Sequence, residues 1–153
     1  MEMNSWFETK VKLDVMQDSG MTKSETFVYL VDALTFKEAE DRIIEECKPF
    51  TSGNLEVAAV KKVRINDMFL SDEDTADRFY RVKLAIVTID EKTQTEKETP
   101  VVLMVQASDF EDAVNRLKKE MSGSLMDWRI VNFTETKIED VYQYLSKKGD
   151  NGK

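Results

Sequence analysis

Histidine is absent from the 153 residues, cysteine occurs once, and there are only five glycines and two prolines. Without imidazole there is no Ser-His-Asp triad, no Cys-His pair, no histidine-ligated zinc and no imidazole pH switch. A single thiol, Cys47, excludes a disulfide framework or a cysteine-rich metal site within one chain, and points to the cytoplasm. Neither Gly-x-x-x-x-Gly-Lys, Gly-x-Gly-x-x-Gly nor Gly-x-Ser-x-Gly occurs, so phosphate-cradling loops and a nucleophile elbow are unsupported. The start of the chain lacks a basic stretch followed by an apolar run of about 7–15 residues, and no apolar run reaches about 18, so neither a secretion signal nor a membrane span is expected. What is present is an acidic chain of net charge −8, 41% hydrophobic and 34% charged, the composition of a soluble globular protein with a core of ordinary size.

The chain repeats itself. Val31-Asp32-Ala33-Leu34-Thr35-Phe36-Lys37-Glu38-Ala39-Glu40-Asp41-Arg42-Ile43 matches Val105-Gln106-Ala107-Ser108-Asp109-Phe110-Glu111-Asp112-Ala113-Val114-Asn115-Arg116-Leu117 as V-x-A-x-x-F-x-x-A-x-x-R-[IL], at an offset of 74 positions. Upstream, Val11-Lys12-Leu13 matches Val82-Lys83-Leu84 at 71; downstream, Ile65 to Phe69 matches Ile138 to Tyr142 at 73.

Each half predicts the same string of elements. From Trp6 to Met16, Val11, Leu13 and Val15 alternate with Lys10, Lys12 and Asp14, the period of a half-buried strand. Gln17-Asp18-Ser19-Gly20 predicts a turn, and Phe27 to Val31 the returning hairpin partner. Thr35 is an N-cap with Glu38 three residues on, opening a helix whose stripe is Phe36, Ala39, Ile43 and Cys47 and which Pro49 ends. Leu55 to Ile65 is a third strand, and Asp67-Met68-Phe69 closes the unit. The second half runs strand Phe79 to Ile89, turn Asp90 to Glu98, strand Val101 to Val105, a helix from Asp109 with stripe Phe110, Ala113, Leu117 and Met121, and strand Trp128 to Thr136. The expected fold is therefore α+β, an internal duplication of two β-β-α-β repeats with antiparallel hairpins and one helix each. They occupy residues 1–70 and 78–145, joined by an acidic linker at 71–77, with a frayed tail at 146–153. Because one such repeat is near the lower size limit for a stable domain, the two are expected to share burial as one globular unit.

Few residues offer chemistry. Asp72, Glu73, Asp74 and Asp77 lack calcium-loop spacing and read as a solvated linker. Asp67 and Asp140 occupy equivalent places, yet an aspartate beside a strand more often caps or turns the chain than holds a metal, so a carboxylate- or metal-dependent enzyme is the least favoured reading. Cys47 has Met121 as its counterpart and reads as a small buried hydrophobe. Arg42 and Arg116 share a helical position and are expected to pair with carboxylates rather than to hold an anion. No catalytic residue, cofactor or metal site is expected.

The cations carry more. Lys10 and Lys12 recur as Arg81 and Lys83, Lys61, Lys62 and Arg64 add a basic stretch, and Trp6, Phe79 and Tyr80 stand beside the first strands. Cationic strands interleaved with aromatics are one solution to binding single-stranded nucleic acid, although lysine on strands also blocks aggregation without any ligand. The favoured reading is a small non-enzymatic module acting on a protein partner or on itself, with single-stranded nucleic-acid binding as the alternative and no membrane role.

At Trp6-Phe7-Glu8-Thr9-Lys10-Val11, Tyr29-Leu30-Val31-Asp32-Ala33, Phe36-x-x-Ala39-Glu40, Ala59-Val60-Lys61-Lys62 and Val105-Gln106-Ala107-Ser108-Asp109-Phe110, the chain resembles the uncharacterised domain-of-unknown-function family 4494 of Bacteroides-type bacteria and some of their phages. The resemblance runs from Trp6 to about Tyr144. It brings no activity or site residue with it; what it implies is a cytoplasmic, phage or mobile-element context.

Overall fold

Period-two alternation drives the long strands, and one side-chain cap starts each helix. The computed structural model describes residues 5–144, and the tail expected to fray lies outside them. In chain order the elements are β1 (Ser5–Met16), β2 (Thr22–Ala33), α1 (Phe36–Cys47), a 3-10 turn (Lys48–Phe50), β3 (Leu55–Val63), β4 (Asp67–Phe69), β5 (Arg78–Asp90), β6 (Thr95–Ala107), α2 (Phe110–Met121), β7 (Asp127–Glu135) and β8 (Ile138–Tyr142). The fold is mixed α+β with two sheets and two helices, and strands predominate. No helix among the described residues is long and apolar enough to cross a membrane.

Two compact units result, Met1–Arg64 with Ile138–Lys153, and Ile65–Lys137. The first holds the sheet β3-β1-β2-β8 and the second the sheet β4-β6-β5-β7. The two short strands therefore lie where sequence order does not put them. Asp67–Phe69, expected to close the first unit, runs parallel to β6 with Asp67 opposite Leu103; Ile138–Tyr142 runs parallel to β2 with Tyr29 opposite Asp140. Three to five residues carry too little pattern to name a partner, so the available sheet edge decides.

In the first unit Phe7, Val11, Leu13, Tyr29 and Val31 face α1 and meet Ala39, Ile43 and Cys47. The Thr35 hydroxyl accepts the Glu38 N–H at 3.0 Å, and the Glu38 carboxylate accepts the Leu34 N–H, a reciprocal cap. In the second unit Tyr80, Val82, Leu84, Leu103 and Val105 pack on Ala113 and Leu117. There Asp109 caps the Asp112 N–H at 2.8 Å, and Asp112 accepts from the Ser108 N–H at 2.9 Å. Phe36 and Phe110, first on their stripes, are half-exposed and instead pack edge-on against Phe7 and Phe133, each with centroids at 4.9 Å.

The hairpins reach further than apolar content predicts. β2 begins at Thr22 and β6 at Thr95, because polar residues complete a ladder without burying anything. Pro100 is tolerated inside β6 because β4 covers the other edge of that strand only from Leu103 to Val105. Gly20, at φ +91°, supplies the left-handed residue of the first hairpin turn.

Candidate functional site

The cations expected to form a surface are exposed but not of one sign. Lys10, Lys12 and Lys61 lie on the face of the first sheet turned away from α1, where Lys61 stands opposite Glu8 and Lys12 opposite Glu56. Lys62 is opposite Phe7, on the helix side, and Arg64 follows the end of β3. Arg81 and Lys83 are exposed on β5 in the second unit, opposite Thr134 and Asn132. The aromatics named beside them are core: Trp6, Phe79 and Tyr80 are 8%, 2% and 1% exposed. A buried ring has no face to stack on a base, so these three pack, Tyr80 against Phe110 and Phe133.

Asp67 and Asp140 belong to different units, and each turns its carboxylate to the N–H of the next residue at 2.8 Å. Arg42 and Arg116 both hold carboxylates. Arg42 donates to Glu38 at 2.8 Å and to the Asp32 carbonyl at 2.9 Å, while Arg116 donates to Asp112 at 3.0 Å and to Glu73 at 2.9 Å. The Glu73 bond, with Ser71 N–H donating to Gln106 and Gln106 donating to the Ala76 carbonyl, ties the acidic stretch 71–77 to the second unit, while Asp72, Glu73, Asp74 and Asp77 stay exposed to solvent. The fully buried Asp32 does the same in the first unit, accepting the Tyr144 N–H at 2.6 Å. The Arg42 guanidinium sits 4.4 Å from the Tyr144 ring centroid. Burial, with a hydrogen bond to Glu46, pushes the Tyr144 phenol up to about 12.

A different place in the first unit is open. Leu13 and Val15 of β1, Phe27 and Tyr29 of β2, Phe50 of the 3-10 turn, and Glu139, Asp140 and Tyr142 of β8 line a cleft of about 270 Å³. Two causes make it. β3 begins at Leu55, opposite Leu13, so no β3 residue pairs with Val15. In the second unit, by contrast, β7 places Trp128 opposite Ile86 and packs it on the core. The last apolar residue of α1 is Cys47, where α2 has the bulkier Met121. The cleft walls are aromatic: Tyr29 and Tyr142 centroids are 5.7 Å apart and Phe27 lies 6.4 Å from Tyr29. Phe50 is 56% exposed beside them. Burial pushes both phenols above their ordinary range; the Cys47 thiol raises Tyr29 further, and Asp140 raises Tyr142. Burial also pushes the Cys47 thiol up, so at neutral pH it is a thiol rather than a thiolate.

The family model for a domain of unknown function (DUF4494) matches residues 5–144, the whole of the described structure. The chain belongs to that family. No curated protein matches it. Family membership assigns no activity, and the cleft was not legible as a site in the sequence. The available signal was an asymmetry between the halves: Phe27 and Tyr29 stand where the second half has Val101 and Leu103.

Proposed function

We propose that the chain is a small, non-enzymatic, cytoplasmic binding module built by duplication of a β-β-α-β plan, and that the aromatic cleft of the first unit is its ligand site. Duplication is supported by the same bonds recurring at an offset of 73–74 positions. Thr35 and Asp109 cap the helices, Glu38 and Asp112 hold Arg42 and Arg116, and Asp32 and Gln106 accept the N–H groups of Tyr144 and Ser71. The observation that carries the site is the contrast within this pattern: Trp128 and Met121 pack on the core of the second unit, while the matching place in the first is open. Half-open aromatic concavities are where ligands gain burial. The bacterial or phage context implied by the resemblance belongs to the same reading.

A neutral aromatic probe, N-phenyl-1-naphthylamine, tests it. Its fluorescence should rise on the native protein and return to background in Val15→Trp, which fills the cleft, with the urea midpoint of the variant near that of the parent. Equal enhancement in both proteins overturns the site. Single-stranded nucleic acid is the second reading, supported by exposed Lys10, Lys12, Arg81 and Lys83 at matching strand positions. It predicts anisotropy changes with labelled mixed-sequence single-stranded DNA that weaken with salt and vanish when all four become alanine.

A further inference from the structure

We infer that the cleft takes the side chain of a lysine or arginine from an apolar segment of a partner protein. This rests on the cleft being the ligand site, and three features add the preference for a cation. Tyr29, Tyr142 and Phe27 form a wall of ring faces and edges with centroid spacings of 5.7 and 6.4 Å, and a cation gains from approaching such faces to within about 6 Å. Glu139 and Asp140 line the cleft on β8, and among the described residues neither has an ion-pair partner. α1 ends at Cys47 against Tyr29 with no base within its last turn, and the ammonium of the C-cap Lys48 is paired with Glu45 at 2.7 Å, so the negative end of the helix adds to the same field.

The second unit keeps only part of this chemistry. Asp67 and Phe69 stand where the first has Asp140 and Tyr142, but Asn66 replaces Glu139, Val101 and Leu103 replace Phe27 and Tyr29, and the last turn of α2 carries Lys118 and Lys119. The difference between the units is therefore one of charge preference as well as of space.

The edge of the cleft selects the source. The half-open cleft, about 270 Å³, has room for a single long side chain. A lysine or arginine stem would lie on Leu13 and Val15 with its charged head toward Glu139 and Asp140. The exposed Phe50 at the edge offers apolar contact to the residues flanking that side chain, which a free amine lacks.

The full-length, isotope-labelled protein would be titrated by NMR with n-butylammonium, n-butylguanidinium, neutral n-pentanol and the tripeptide acetyl-Phe-Lys-Leu-amide. The expected result is shifts concentrated at Tyr29, Glu139 and Tyr142. The cations should bind at least fivefold tighter than pentanol, and the peptide about tenfold tighter than butylammonium. Affinity for both cations should drop about fivefold to tenfold in Glu139→Gln/Asp140→Asn, whose exposed side chains leave the fold intact. Equal binding of pentanol and butylammonium overturns the cation preference while leaving the cleft as a site. Equal affinity of peptide and butylammonium overturns the protein source. No shift with any of the four overturns the inference, and the neutral naphthylamine probe then reports separately whether the cleft binds anything.

Discussion

Replacing Leu117 by alanine removes a fully buried side chain of α2 from the core of the second unit, where it packs among Tyr80, Leu84, Leu103 and Val105. Such truncations cost about 2–5 kcal/mol, and about 3 is the working figure for a site so enclosed. The loss should not stay in the second unit. Ile65–Lys137 is inserted between β3 and β8, both of which belong to the first sheet. While folded, the insertion holds its own ends on neighbouring strands, Asn66 N–H on the Val102 carbonyl at 2.7 Å and Thr136 N–H on the Phe79 carbonyl at 2.9 Å. Once it unfolds, β8 must be retained across a floppy loop of about 70 residues, whose closure costs (3/2)RT ln n, about 4 kcal/mol. That coupling exceeds the mutational loss, so both units should unfold together. The chain supplies one reporter for each, Trp6 in the first unit and Trp128 in the second. In Trp128→Phe and Trp6→Phe backgrounds, urea unfolding excited at 295 nm should give coincident curves, and Leu117→Ala should move both midpoints down by about 1–2 M. A Trp128 transition that falls while the Trp6 transition stays in place would refute the coupling.

Three further expectations can be measured the same way. Asp32→Ala leaves the Tyr144 N–H and part of the Arg42 charge without their acceptor and should cost about 2–4 kcal/mol, whereas Asp32→Asn, which keeps an acceptor oxygen, should cost less than half of that; a loss under about 1 kcal/mol in the alanine variant would show the clamp to be unimportant. The Tyr80 hydroxyl is buried with no hydrogen-bond partner among the described residues, so Tyr80→Phe should leave the protein as stable or about 1 kcal/mol more so, and a clear loss would show that the nearby Arg78 supplies a bond. The Ser108 N–H, then Arg116, holds the Asp112 carboxyl below its usual range, so its contribution is present above the unfolded value of about 3.9 and is lost as pH falls through the lower folded value; Asp112→Asn should flatten stability against pH below about 4, and an unchanged slope would exclude Asp112 as its source.

Local chemistry was readable where one residue suffices to dictate structure. Thr35 and Asp109 announce helix starts because a side-chain oxygen answers a particular orphan N–H, and the alternation of Val11 and Leu13 with Lys10 and Lys12 assigns faces because side-chain direction has period two. The polar arms of the hairpins were harder, since Thr22 to Thr26 and Thr95 to Thr99 are held by backbone bonds that leave no apolar signature. The partners of β4 and β8 depend on which edges are open in three dimensions. Trp6, Phe79 and Tyr80 looked available because aromatic side chains beside cations resemble a stacking surface, yet burial is a property of the whole fold. The cleft joins residues from β1, β2, β8 and the turn after α1, and its decisive cause is a side chain missing opposite Val15, which only register reveals.

The placement of β8 also fixes an order of events during synthesis. The ribosome releases the segment up to Arg64 before residues 65–144, yet its sheet lacks a strand that lies beyond residue 137. The inserted unit, contiguous from Ile65 to Lys137, holds all of its strands as soon as β7 is out. The early segment must wait with the β2 edge from Val28 to Val31 open, a template for pairing with neighbouring chains until Ile138 to Tyr142 arrives. The first unit thus emerges first but is completed second, and the cleft, whose acidic wall is β8, forms only after the inserted unit has all of its strands.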